Sequence, residues 1–176
     1  MRRAHRPIAA ALLQRHDGLV FELESVWRPA APVAQVWSVL ADPRFTWPDW
    51  WPGLIAIATH PVIGPDGLAA PGAWARLRVR SPLGYALRFR LELAATTAPS
   101  DDTPGHALLD VSGDLEGRAE ITVSETPDAE VRLVWRVSPV PAWFRAASRV
   151  GPGPLAWAHA RVMRAGERGL AARLRS

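Results

Sequence analysis

Apolar and polar residues alternate from Leu19 onward, and the pattern assigns most of the chain. Over Leu19–Arg28, Phe21, Leu23, Ser25 and Trp27 share one face, and Glu22 and Glu24 the other. That predicts a strand, ended by Pro29. Pro32 suits a first helical turn, and Val33, Val36, Trp37 and Leu40 then recur at helical spacing until Pro43. The block Trp47-Pro48-Asp49-Trp50-Trp51-Pro52-Gly53 predicts a second short helix or a tight turn. Further strands are predicted at Leu54–Ile63, Ala73–Arg80, Tyr85–Leu93, His106–Ser112, Arg118–Glu125 and Val131–Val137. Turn-rich segments at Gly64–Gly67, Ser81–Gly84, Gly113–Gly117 and Thr126–Ala129, with a polar loop at Ala98–Gly105, separate them. Ala142–Arg149 reads as a short helix. Gly151-Pro152-Gly153-Pro154 interrupts it, and Leu155–Leu174 follows as a long amphipathic helix. On that helix Leu155, His159, Val162, Met163, Gly166 and Leu170 form one stripe; Arg161, Arg164 and Arg168 lie opposite, with Trp157 on the arginine side.

The order is thus strand, two helices, about six strands and a long helix. Strands joined by short turns make an antiparallel sheet. In Tyr85–Leu93 the residues Tyr85, Leu87, Phe89, Leu91 and Leu93 point one way and Arg88, Arg90 and Glu92 the other. In the last strand Val131, Leu133, Trp135 and Val137 oppose Arg132 and Arg136. The apolar face needs a cover, and the long C-terminal helix is the only element large enough. A curved sheet around one helix leaves an internal space. Three tryptophans within five positions, bracketed by prolines, predict a rigid plug at one end of that space. Trp50 or Trp51 is expected to be largely buried.

Composition narrows the chemistry. The 176 residues make one domain, 48% hydrophobic, with no apolar run long enough to span a bilayer. Residues 1–18 read as a basic extension, partly disordered or a short helix; the run Ile8–Leu13 is too short for a secretory signal. There is no cysteine, hence no disulfide or thiolate, in keeping with a cytoplasmic setting. All 21 basic residues are arginine, so Schiff-base chemistry on lysine is excluded. A net charge of +4 without a sharp basic stripe does not predict nucleic-acid binding. The five histidines show no paired metal spacing; neither metal nor cofactor is expected. Gly151-Pro152-Gly153-Pro154 is no dinucleotide fingerprint, and there is no Gly-x-Ser-x-Gly elbow.

The first strand with Ala31-Pro32 to Asp42-Pro43, the tryptophan block, Gly113-Asp114-Leu115-Glu116-Gly117, the Val131–Val137 strand and the Trp157–Leu174 helix together resemble the SRPBCC or START-like superfamily of polyketide cyclase/dehydrase and lipid-transport proteins. The resemblance spans residues 19 to 174. It implies an α+β helix-grip fold with a cavity between sheet and C-terminal helix. It also implies a small hydrophobic ligand, lipid- or polyketide-like. It leaves open a cyclase, aromatase or dehydratase, and an interaction module using the basic helix.

The residues expected to touch the ligand are Trp50, Trp51, Tyr85, Phe89, Trp135, His159, Val162 and Met163; no catalytic residue is assigned. His159 lies on the inward stripe, where an imidazole orients a ligand group, acts as a base, or is simply a bonded core histidine. A carboxylate facing the cavity would have a raised pKa, but alternation puts Asp110 on the outer face, and Asp114 and Glu116 read as turn residues. Tyr85 heads the inward row of Phe89, where its hydroxyl either meets a ligand or reaches water at the sheet rim. Trp135 is cavity wall or plain core. The Arg161, Arg164, Arg168, Arg173 and Arg175 series reads as a solvated helix face, with an anionic membrane or RNA as the alternative.

Overall fold

In a computed structural model of the chain, which describes residues 10–15, 18–126, 128–150 and 153–176, a curved sheet grips the C-terminal helix. The strands are β1 (Ala10–Arg15), β2 (Gly18–Trp27), β3 (Leu54–His60), β4 (Trp74–Arg80), β5 (Ala86–Thr97), β6 (Gly105–Gly113), β7 (Leu115–Thr126) and β8 (Asp128–Pro139). They pair antiparallel in the order β1-β2-β8-β7-β6-β5-β4-β3. Two short helices, α1 (Val33–Leu40) and α2 (Trp47–Trp50), carry the chain from β2 to the far edge at β3. After β8 come α3 (Ala142–Val150) and the long α4 (Gly153–Arg173). The expected α+β helix-grip architecture is the one observed.

Four expectations change. Ala10–Arg15, expected to be disordered or helical, forms β1 along the free edge of β2, where its backbone meets unpaired N–H and C=O groups. Residues 1–9 of the expected extension lie outside the described residues. β3 stops at His60, short of Ile63. β5 runs on to Thr97 through a bulge between Leu93 and Ala95. Gly113–Gly117, expected to be a turn, is mostly strand with only Asp114 between β6 and β7. Gly113 (φ 118°) and Gly117 (φ 145°) supply backbone angles that other residues rarely adopt. Asp114 ties the junction to β5: its N–H donates to the Arg88 carbonyl, and its Oδ2 accepts from the Arg88 N–H at 2.7 Å.

Asp42 organises the entry to α2. Its carboxylate accepts hydrogen bonds from the Arg44 guanidinium at 3.2 Å, and from the Arg44 backbone N–H and the Thr46 hydroxyl, both at 2.9 Å. Partial burial opposes its ionisation, but these bonds outweigh it and hold the carboxyl below its ordinary value of 3.8. The tryptophan block then docks on α4. Trp50 is 7% exposed, stacks on Trp51 and keeps its backbone carbonyl against Gly169. The Trp51 ring lies against Gly166, and its Nε1–H donates to the Val162 carbonyl at 3.0 Å. Trp47 Nε1–H donates to the carbonyl of Leu40, the last residue of α1, which its own helix leaves without a partner.

A side chain at Gly166 or Gly169 would fall inside van der Waals contact of these neighbours. In an open helix Gly→Ala stabilises by about 1 kcal/mol. Here the sign should reverse. Gly169→Ala, whose Cβ would meet backbone rather than a movable side chain, should lose about 3 kcal/mol in urea unfolding. Gly153→Ala, with nothing within 4 Å, is the control and should lose none.

Candidate functional site

The first three turns of α4 lie over the apolar face of the sheet without filling the space beneath them. Between them lies a cavity of about 160 Å³, counted as the space the centre of a water molecule can occupy. That is room for a small organic molecule. The strand period of two delivers the wall: Phe21 and Leu23 from β2, Leu77 and Val79 from β4, Leu87, Phe89 and Leu91 from β5, and Leu133, Trp135 and Val137 from β8. β6 adds Leu109, and β7 adds Leu115, Ala119 and Ile121. The helix period turns Leu155, His159, Val162 and Met163 of α4 to the opposite side.

Of the residues expected at the site, Trp51, Tyr85, Phe89, Trp135, His159, Val162 and Met163 line this one cavity. Trp50 does not; it is packed beneath Trp51 against α4, and its place on the wall is taken by Trp47. The signal for Trp47 was available, since residues four apart on a helix share a face and Trp51 is four on from Trp47. Ser81 and Phe144 also line the cavity and were not anticipated. Phe144 reaches it from α3, where Tyr85, Trp143 and Phe144 pack ring on ring with centroids 5.3–5.8 Å apart. Tyr85 and Phe144 of this aromatic group form part of the cavity wall, while Trp143 is exposed.

The wall is nearly uncharged. Glu120 borders the space, but its carboxylate bonds Arg136 at 2.9 Å on the outer face. Asp110 is exposed and paired with Arg118, and Asp114 is spent on the Arg88 backbone. Arg161, Arg164, Arg168, Arg173 and Arg175 are all exposed on the outer side of α4. Among the described residues no group of three His, Asp or Glu side chains is placed to hold a metal ion, and no helix is long and apolar enough to cross a membrane.

His159 is therefore the one imidazole in an apolar wall. Its Nε2 is covered and has no hydrogen-bond partner. Burial disfavours the charged ring and pushes its pKa from 6.5 to about 4. Such a ring is a weak base and stays neutral at pH 7. Trp135 Nε1–H, on the facing β8 wall, is likewise covered and without a partner.

No protein-family model and no curated protein matches the chain. Solved structures do. A START superfamily protein from Mycobacterium smegmatis is 17% identical, covering 88% of this chain and 97% of that one, with a TM-score of 0.53. A second protein from Mycobacterium smegmatis is 18% identical over 96% and 97% of the two chains, TM-score 0.54. A protein from Rhizobium leguminosarum is 11% identical over 97% and 99%, TM-score 0.58. At these identities the likeness is one of fold: the chain has the START-like helix-grip fold.

The depressed His159 pKa has a stability consequence. Between pH 6.5 and 4 the unfolded chain binds a proton at this position and the folded one does not, so stability falls as pH falls through that window. The His159 share should reach about 3 kcal/mol. Urea unfolding of the protein and of His159→Gln at steps from pH 7.5 to 4 should give a steeper loss for the former by roughly that amount.

Proposed function

We propose that this protein binds a small hydrophobic molecule, lipid- or polyketide-like, in the cavity between sheet and α4, and holds it without transforming it. The observation that carries the reading is the lining itself: apolar side chains from seven strands and four helices around a space large enough for an organic molecule. Folding leaves this space open although α4 is closely packed two turns further on, where Leu170 is wholly buried. Interiors are ordinarily filled to crystal-like density, and a void of this size forfeits dispersion contacts on every side. A bound apolar molecule restores them.

START-superfamily membership of a fold neighbour is in keeping with this reading. An acid–base enzyme finds less support. General acid–base work needs a group with a pKa near the working pH, and His159 is held about three units below it without a carboxylate beside it. An interaction module built on the α4 arginines needs no cavity. We place the protein in the cytoplasm, with which its lack of cysteine agrees without deciding the compartment.

The test is occupancy. Native mass spectrometry of the purified chain should show a bound small molecule, and the stripped protein should enhance the fluorescence of N-phenyl-1-naphthylamine. Ala119→Phe, which projects a ring from β7 into the space, should abolish the enhancement while leaving the thermal midpoint within a few degrees. A dye signal unchanged in Ala119→Phe would sink the assignment to this cavity.

A further inference from the structure

Three tryptophans line the cavity, and their N–H groups are not treated alike. Trp47 donates to the Leu40 carbonyl at 2.9 Å and Trp51 to the Val162 carbonyl at 3.0 Å. Trp135 donates to nothing, although its Nε1 is covered. An indole nitrogen is a donor only, so nothing but an acceptor satisfies it. Leaving it unpaired carries the desolvation penalty of a buried donor, and phenylalanine would fill the same wall without it. Across the cavity on α4, His159 Nε2 is unpaired as well. Two residues with covered, unpaired ring nitrogens thus line the cavity, whose other polar groups are the Ser81 and Tyr85 hydroxyls and Glu120 at its border.

The charge inventory adds a second constraint. None of the lining residues is an arginine, in a chain with 21 of them. Glu120, the one charged residue at the border, is engaged by Arg136 outside. An anion or cation in this space would be a buried charge with no counter-ion, which costs several kcal/mol.

Resting on the hydrophobic-ligand reading above, we infer that the ligand is an uncharged molecule carrying an oxygen acceptor, such as a ketone, ester or ether, which takes the Trp135 N–H, and that carboxylates, phosphates and amines are rejected. This requires the Trp135 ring to rotate so that its covered N–H turns toward the ligand oxygen. A hydroxyl on the same ligand would also serve His159. The neutral imidazole offers Nε2 as donor or acceptor according to its tautomer, and its low pKa keeps it from becoming the missing counter-ion for a carboxylate.

Three molecules of nearly equal shape test this: 2-acetylnaphthalene, 2-ethylnaphthalene and 2-naphthoate, titrated calorimetrically into the stripped full chain at pH 7.5. The ketone should bind at least as tightly as the hydrocarbon, although water solvates its carbonyl. Naphthoate should bind at least about a hundredfold more weakly than the ketone. Trp135→Phe should weaken the ketone by about tenfold and leave 2-ethylnaphthalene within about twofold. Naphthoate as tight as the ketone, or a hydrocarbon preference in the unmodified protein, overturns the inference. So does a Trp135→Phe variant in which ketone and hydrocarbon change together. If that variant does not fold, the three titrations on the unmodified chain still decide. N-phenyl-1-naphthylamine separates the two levels: dye binding without ketone preference ends this inference and spares the hydrophobic-ligand reading, whereas no binding of the dye or of any naphthalene ends both.

Discussion

The contact between the tryptophans of α2 and two glycines of α4 holds the cavity in place. Helices ordinarily pack with axes 8–10 Å apart, the distance their side chains dictate. Gly166 and Gly169 remove those side chains at the crossing, so the Trp51 ring and the Trp50 carbonyl lie directly on the helix. One end of α4 is thereby clamped, with Leu170 buried beside it. The other end, from Leu155 to Met163, is carried over the sheet without filling it. A helix free to settle onto the sheet would close the space; one anchored at its C-terminal half cannot without breaking the Trp51–Val162 hydrogen bond and the ring contacts with Trp27 and Trp50.

The indole N–H groups fare differently: those of Trp27, Trp50 and Trp135 are covered without a partner. The plug tryptophans Trp47 and Trp51 spend their N–H groups on helix carbonyls and become pure hydrocarbon wall. Trp135 lies mid-strand in β8, where the backbone carbonyls of β2 and β7 are already taken by the ladder. Its N–H therefore has no local partner, and neither does Nε2 of His159. The polarity of the site resides in what the ladder and the helix leave over.

The outer face of the sheet follows a different rule in its two halves. Across β2, β8, β7 and β6 the arginines are matched with carboxylates: Arg132 with Glu24, Arg136 with Glu22 and Glu120, Arg118 with Asp110. Arg118 stands opposite Arg136 there, each with its own carboxylate; across β4 and β5 Arg76 is opposite Arg90 and Arg78 opposite Arg88, and of these four only Arg90 makes an ion pair among the described residues. Like charges directly opposite are mildly destabilising. Trp74 under the Arg90 guanidinium, at 4.4 Å, and Glu92 beside it relieve one of the two rungs.

Much of this was legible in the chain. Strict alternation in Tyr85–Leu93 and Val131–Val137 assigned inward and outward residues before any fold was known, because a pleated strand admits only two faces. The helical stripe from Leu155 to Leu170 likewise turned His159 inward, whatever its chemistry. Local pattern was weaker where a residue's state depends on a distant one. Ala10–Arg15 is a strand because β2 has an open edge, which no local composition announces. Gly113–Gly117 carries turn residues, yet it continues two strands because Arg88 and Arg136 on neighbouring strands approach its backbone. The exchange of Trp50 for Trp47 on the cavity wall was settled by the crossing of α2 over α4. Periodicity says which residues turn inward; only the packing of one element on another says whether they meet solid core or empty space.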